Sequence, residues 1–425
     1  MSKSILAIVP FDPIYPPTNG GMQRCFHIIH QLAVHFELTV IINQKKEDFL
    51  EAIHEYPAIK TATVYSTSDE KKSQDVFSIL PSKLQKALRY RWYKKNVKGP
   101  ADGNFLLYYP VLKRLLKEKE FDVILLENLA SLNAVTLIRQ YDKKIRIIYN
   151  AHNVDSNLAA TLLEKAAMSS DRYVSIKNVE STLYKKTDAL ITCSEKDKAD
   201  FSEMNDGNLT ISVVPNGVNV SEIYDTGVRS KFPSFILFCG VLSSFANQEG
   251  LLWFYSSIWP KIKEEFPFLR LMVLGSGDIP LSLHKLCRDN DLLFTGRVND
   301  VKSYYDSCTL SVVPLQTGSG TRLKILEAMS LGVPVVSTKL GAEGLEYTDG
   351  SDIIIADEET LFAETVVELL KNEEQRMVIQ KNARKLVETK YNWDIIGTHL
   401  AEFINIDLSP QDKKEYSKNH EFFYK

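Results

Sequence analysis

The chain has 425 residues, 44% hydrophobic and 25% charged, with a net charge of −3. That is the composition of a soluble globular protein with room for two ordinary domains. The charge excludes a general attraction to nucleic acid, and no run approaches the roughly 18 apolar residues of a membrane-spanning helix. In chain order, MSKSILAIVPF is too short an apolar run for a signal peptide and reads as a first strand, Ser4–Pro10. Strands follow at Leu38–Asn43, Val123–Glu127, Ile145–Asn150 and Ala189–Cys193, then at Phe235–Cys239, Arg270–Leu274, Leu292–Thr295, Leu310–Val313, Val335–Thr338 and Ile353–Ala356. Helical patterns lie between them, among them Met22–His35, Ser131–Tyr141, Val174–Thr187 and Leu251–Phe266. Continuous apolar strands separated by helices predict parallel sheets covered on both faces. So many strands predict an α/β chain with two doubly wound domains, over 1–222 and 223–391, and a polar tail over 408–425. The change falls near Ile223–Pro233, where turn residues and charges replace the apolar alternation. Ligands of open α/β sheets bind at the carboxyl ends of the strands, so the expected site is a cleft between the two domains.

The most informative stretch is GSGTRLKILEAMSLGVPVVST, Gly318 to Thr338, fed by the strand-like TLSVVPL. A strand, a Gly/Ser/Gly/Thr loop and a helix start leave free N–H groups and the positive helix end facing one point, which attracts phosphate. Arg322 and Lys324 reinforce that charge, and Glu327 can accept from sugar hydroxyls. The alternatives are an ordinary βαβ turn, with Lys324 and Glu327 paired across three residues. No GxxxxGK[ST] occurs, so ATP hydrolysis is not indicated.

Other candidates are less specific. PPTNGGMQRCFHI, residues 16–28, follows the first strand, and Gly20-Gly21 would admit a ligand close to the backbone or make a structural turn. His152 in NAHNVDS sits just past a strand's carboxyl end, as an acid/base group, a hydroxyl-recognising group or a structural histidine. Gly275-Ser276-Gly277-Asp278 reads as an ordinary loop, and the DxD of Asp289-Asn290-Asp291 as a surface turn. The basic run 82–98, with Lys83, Lys86, Arg89, Arg91, Lys94, Lys95 and Lys98 among Leu and aromatic residues, suits an anionic membrane surface or a solvated helix. Cys25, Cys193, Cys239, Cys287 and Cys308 have no CxxC spacing and no His at metal spacing, as expected of reduced thiols in a cytosolic protein.

In this order, PPTNGG, NAHN, ALITCSEKD, VVPNGVN and GSGTRLKILEAMSLGVPVVST resemble glycosyltransferase family 4, up to about Trp393. The resemblance implies a GT-B fold and a retaining, nucleotide-sugar-dependent transferase. It gives Glu327 the ribose hydroxyls. Gly318, Ser319, Gly320 and Thr321 would take the diphosphate, with Arg322 and Lys324 as counter-charges. Gly20 and Gly21 would approach the donor phosphate or the acceptor, and His152 the donor sugar. Thr295-Gly296-Arg297-Val298 would read the base, and a last helix at Asn392–Ile404, about 392–407, would return to the first domain. Two departures stand out. Ser319 replaces the first of two glutamates, and CGVLSSFANQEGL puts Val241 and Gln248 where the family carries an Arg and a Lys.

On this resemblance the donor is a UDP- or GDP-type nucleotide-diphosphate sugar, the acceptor a glycan or a lipid-linked glycan, and no cofactor or metal is expected. The expected location is cytoplasmic, with a peripheral place on the membrane's inner face through 82–98. A GT-B nucleotide-sugar epimerase and a catalytically silent nucleotide-sugar sensor are the rival readings.

Overall fold

A computed structural model of the protein describes residues 2–406 apart from 10–13, 18, 54–55, 68–104, 165–167, 221–234, 299 and 319. The basic run 82–98, the segment 223–233, the tail 408–425 and Ser319 therefore lie outside the described residues. The chain forms two compact units, one of Met1–Val214 with the stretch from Gly397 onward, the other of Pro215–Ile396.

The first unit is built on a seven-stranded sheet, all of its pairings parallel. Its strands are β1 (Ser4–Ile8), β2 (Glu37–Ile42), β3 (Thr63–Ser66), β4 (Val123–Glu127), β5 (Arg146–Asn150), β6 (Ala189–Thr192) and β7 (Thr210–Val213), in the order β3-β2-β1-β4-β5-β6-β7. Helices cover both faces, so the inner strands bury consecutive residues: Ile5 to Ile8 and Val123 to Glu127 have 1% exposure or less. Strand order reverses between β1 and β4, which opens a crevice at their carboxyl ends. The β4/β5 register sets Glu127 beside Asn150, so both strands end there on a polar residue. The helix Gly20–His35 follows β1 and brings its first turns to the same edge. At the opposite, amino edge, Arg146 donates to the carbonyls of Phe403, Ile404 and Ile406 and stacks on the Phe403 ring.

The second unit has a six-stranded sheet of β8 (Phe235–Cys239), β9 (Arg270–Leu274), β10 (Leu292–Gly296), β11 (Ser311–Val313), β12 (Val335–Ser337) and β13 (Ile354–Ile355), ordered β10-β9-β8-β11-β12-β13. All of its pairings are parallel. The reversal lies between β8 and β11. Two apolar clusters fill its faces, one around Phe254, Trp259 and Phe362, the other around Tyr305, Leu326 and Val387.

The strands predicted from apolar runs are all present, several shorter by a residue or two. β3 and β7 escape that reading because they are four-residue edge strands, TVYS and TISV, in which Thr and Ser interrupt the apolar run. The predicted helix Ser131–Tyr141 is broken by a 3₁₀ turn at Leu132–Ala134, and Val174–Thr187 instead runs from Ser170 to Glu180 before a separate 3₁₀ turn. Leu251–Phe266 begins earlier, at Phe245, and carries a π-turn over Phe254–Ile258. Pro260 opens the segment beyond it: with no N–H to donate one turn back, it favours such a change of register.

Candidate active site

At the carboxyl ends of β4 and β5 the first unit holds a buried polar cluster. Arg24, fully enclosed on the helix Gly20–His35, donates through Nε and Nη2 to Asn150 Oδ1 at 3.0 and 2.7 Å, and through Nη1 to the Val214 carbonyl at 2.7 Å. Asn150 Nδ2 donates to Glu127 Oε2 at 2.8 Å, so a guanidinium and a carboxylate are joined through one amide. Two further groups converge on the same oxygen: Cys25 Sγ at 3.1 Å and His152 Nε2 at 2.9 Å. Glu127 Oε1 is buried with no hydrogen-bond partner among the described residues. Burial pushes the Cys25 thiol well above its usual range, helped by the Glu127 charge, and burial pushes Cys193 up to about 11. Both therefore act as weak donors and not as nucleophiles.

The turn carrying His152 is fixed from behind. Cys193 Sγ, just past β6, points at the His152 carbonyl at 3.2 Å. Glu180 accepts from the backbone N–H groups of Asp155 and Ser156 at 2.7 and 3.0 Å, capping the next helix. Burial raises the Glu180 carboxyl to about 7. Gly20 and Gly21 form the first turn of their own helix, whose cap is Asn19 Oδ1 accepting from Met22 N–H at 3.0 Å. They lie at the surface side of that turn, and Arg24 and Cys25 one turn on reach the cluster.

The second unit gathers its own set where β8 and β11 diverge. Gly318 and Gly320 take φ of +117° and +80°, a backbone that other residues rarely adopt, and a Cβ at Gly318 would press on the Arg322 guanidinium. Arg322 caps the helix Leu323–Ser330 and burial lowers its pKa. Thr321 Oγ1 is buried with no hydrogen-bond partner among the described residues, a hydroxyl left over at the end of the glycine loop. Lys324 turns back under that loop: Nζ donates to Asn247 Oδ1 at 2.8 Å and lies 5.3 Å from the Phe238 ring centre. It reaches the end of β8 so closely that a Cβ at Gly240 would sit 2.8 Å from Nζ. The amine is enclosed although the residue as a whole is half-buried, and burial lowers its pKa to about 8.

One departure from the family pattern, at Val241 and Gln248, lies beside Asn247. Val241 accepts from Asn247 Nδ2 through its carbonyl, and Gln248 braces the loop by donating to the Leu242 carbonyl and accepting from Ser282. Neither supplies charge; the cation at the end of β8 is Lys324. Lys324 Nζ is turned toward Asn247, and the nearby Glu327 charge works against the lowering of the amine's pKa. Glu327 is half-buried on the next turn of the helix, near enough for its charge to raise the Cys239 thiol further after burial has done most of it. Arg297 is exposed just past β10, while Val298 packs against the second unit's core. Asp289 and Asp291 lie at the amino end of β10, the opposite edge of the sheet, tied to Tyr255 and Lys263. Thus the structure brings Gly318, Gly320, Thr321, Arg322, Lys324 and Glu327 into one neighbourhood and leaves Arg297 at the sheet's outer strand.

Arg24, Glu127, Asn150 and Asn247 were not singled out by sequence reasoning. The signal available for them was polar residues at strand ends and on an otherwise apolar helix face.

Two family models match the chain, "Glycosyltransferase Family 4" over residues 20–222 and "Glycosyl transferases group 1" over residues 233–372. An uncharacterized 44.6 kDa protein in the cps region of Klebsiella pneumoniae is 29% identical over 37% of this chain and 42% of its own length. A capsular polysaccharide biosynthesis glycosyltransferase of Staphylococcus aureus is 26% identical over 34% of this chain and 40% of its own. The matched stretch thus spans less than half of either relative. Among solved structures, the Anabaena HepE protein in complex with UDP and glucose superposes with a TM-score of 0.62 at 16% identity, covering 95% of this chain and 99% of its own.

Proposed function

The chain belongs to glycosyltransferase family 4, built on the GT-B fold, and from that premise we propose that it moves a sugar, with retention, from a nucleotide-diphosphate sugar to a glycan or lipid-linked acceptor in polysaccharide or glycoconjugate synthesis. The observation that carries this reading is the enclosed Lys324 amine at the end of β8, beside a positive-φ glycine loop that opens a helix. A leaving diphosphate placed there meets Lys324, Arg322, the helix N-terminus and the Thr321 hydroxyl. Fixed charges and dipoles of this kind stabilise a developing anion without reorganising during the reaction. Glu327, one turn on, takes the ribose hydroxyls, and His152 the donor sugar. The Anabaena HepE protein has been solved in complex with UDP-glucose, and a similar mannosyltransferase of Mycobacterium tuberculosis is GDP-mannose-dependent, which makes the UDP and GDP sugars the first to test. If the acceptor is lipid-linked, the run 82–98 is the segment suited to an anionic membrane.

Product analysis with a panel of UDP and GDP sugars tests the reading directly. A transferred sugar with retained configuration supports it; an isomerised donor or saturable binding without turnover would replace it with an epimerase or a sensor. A cognate nucleotide at about 100 times its Kd stabilises the fold by about 2.7 kcal/mol, enough to find it by thermal shift.

Turnover is expected to survive excess EDTA and to gain nothing from magnesium or manganese, because the positive charge is supplied by side chains and the DxD faces the wrong edge of the sheet. Complete loss in EDTA, restored by either metal, would overturn the metal-independent reading.

Lys324 also predicts a pH dependence. In the free protein its amine loses its proton as pH rises through about 8. A bound diphosphate favours the charged form and so raises that pKa. Binding must therefore take up a proton above pH 8, and affinity falls by up to about tenfold per pH unit until the bound-state pKa is reached. Calorimetric titration of UDP or GDP from pH 7.5 to 10 should show this fall, and Lys324→Gln should flatten it. A flat profile in the wild type would move the diphosphate elsewhere.

A further inference from the structure

We propose that Lys324 is a site of acylation by acyl phosphates, which bind as small anions beside its amine and pass a short acyl group to it. The phosphate half of this inference rests on the reading of the glycine loop as an anion site; the amine half rests on the surroundings of Nζ. A lysine amine becomes a nucleophile when it is desolvated or set beside another cation. Lys324 meets both conditions within the second unit. Its Nζ donates to Asn247 Oδ1 at 2.8 Å and lies 5.3 Å from the Phe238 ring centre, and neither neighbour is charged. The titratable and charged groups acting on it are the Cys239 thiol at the end of β8 and, from its own helix, Arg322 and Glu327. Burial does most to lower its pKa and Arg322 adds to that, Cys239 and Glu327 oppose it, and the balance lies at about 8. At pH 7.5 about a quarter of such amines are neutral, against about one in 800 for an exposed lysine. A less basic nucleophile attacks more weakly, as with thiols, which leaves a net advantage of roughly tenfold.

The leaving phosphate has its place beside the amine. Gly318 and Gly320 hold positive φ, Arg322 caps the helix Leu323–Ser330, and the Thr321 hydroxyl is buried with no hydrogen-bond partner among the described residues. No side chain from the two nearest glycines covers the cations. A Cβ at Gly240 would sit 2.8 Å from Lys324 Nζ, and one at Gly318 would sit 2.6 Å from Arg322 Nη2. Gly240 has no positive φ to require glycine, so closeness to the amine is what its missing side chain serves. In the transfer, the Nζ lone pair attacks the acyl carbon and forms an N–C bond. The C–O bond to phosphate breaks, its electrons stay on the phosphate oxygen, and the surplus proton of the amine leaves with the phosphate. The products are a neutral amide and inorganic phosphate, with nothing oxidised or reduced. Acylation removes the Lys324 charge, so it silences the anion site and couples turnover to the supply of acyl phosphate.

The test incubates the full chain with acetyl phosphate at pH 7.5 and follows each lysine by peptide mass spectrometry. Lys324 is expected to be acetylated about tenfold faster than Lys285 and Lys385, which are exposed on the same unit. Below saturation its rate should rise with pH to about 8 and then level off, whereas the exposed lysines keep gaining toward pH 10. Inorganic phosphate should slow Lys324 alone. Acetylation of Lys324 no faster than that of Lys285 and Lys385 overturns the proposal. So does an equal preference for Lys324 with acetylimidazole, which carries no phosphate, because the amine would then be reactive without an anion site. Protection by UDP or GDP separates this inference from the donor reading: selective, phosphate-sensitive acetylation that neither nucleotide slows upholds the acylation site and removes the diphosphate from it.

Discussion

Lys324→Ala is expected to lower kcat by about 100- to 1,000-fold, the loss found when one preorganised charge-stabilising group is removed, and to weaken free UDP or GDP, whose terminal phosphate carries the charge a leaving group gains, more than it raises the donor KM. Charge grows on the diphosphate as the sugar leaves, and the enclosed Lys324 amine is already held by Asn247 and the Phe238 ring at the place where that charge would fall. Its contribution therefore rises from ground state to transition state. Glu327 would meet ribose hydroxyls whose chemistry does not change, so Glu327→Gln should raise the donor KM and weaken free UDP or GDP in parallel while kcat holds. If the two residues act only as a helix-surface pair, each substitution costs only a few tenths of a kcal/mol and both variants are silent. Steady-state kinetics and nucleotide Kd for the two variants decide the matter. Unchanged values in both would sink this placement of the donor.

What the sequence makes legible follows from the range of the forces involved. Central parallel strands are buried on both faces, so Ile5–Ile8, Val123–Leu126 and Ile236–Phe238 announce themselves as apolar runs. β3 and β7 at the sheet edges are only four residues long and interleave Thr and Ser with their apolar residues, so neither makes an apolar run. The pattern at Gly318 to Thr321 is legible because the features a phosphate site is expected to have are local: glycines, a helix start and adjacent cations within one short stretch.

The rest of the site is not local. Asn150 lies 126 residues from Arg24, Val214 lies 190 from it, and Asn247 lies 77 from Lys324. No spacing rule joins such positions; the sheet register and the helix crossing do. The surroundings of Lys324 are of the same kind: its helix follows β11, yet its amine reaches Asn247 and the end of β8. Even so, Arg24 carried a readable signal: it shares a helix face with Ile28 and Gln31, all three buried, and a charge set there must have a partner somewhere.

That partner makes Arg24→Met the substitution with the largest expected effect on stability, about 3–5 kcal/mol, as when one side of a buried charged network is removed. Methionine keeps much of the volume but none of the donors. Asn150 Oδ1 and the Val214 carbonyl lose their Arg24 donors inside the unit, and the Glu127 carboxylate loses the cation that reaches it through Asn150. Arg24→Lys should recover only part, because an ammonium cannot place two bonds on Asn150 and a third on Val214 in the plane of a guanidinium. A connected network of buried groups has a second consequence. Replacing the whole set, as Arg24→Met with Asn150→Leu and Glu127→Leu, removes the stranded groups along with their partners and should be less destabilised than Arg24→Met alone. Since the chain has two compact units, the loss should be read locally, by hydrogen exchange of β4 and β5 peptides during urea unfolding, with β8 and β11 peptides as the internal control. An Arg24→Met protein within about 1 kcal/mol of wild type, or a triple variant worse than the single one, would mean that Arg24 is not the keystone of this cluster and that its rigidity has another source.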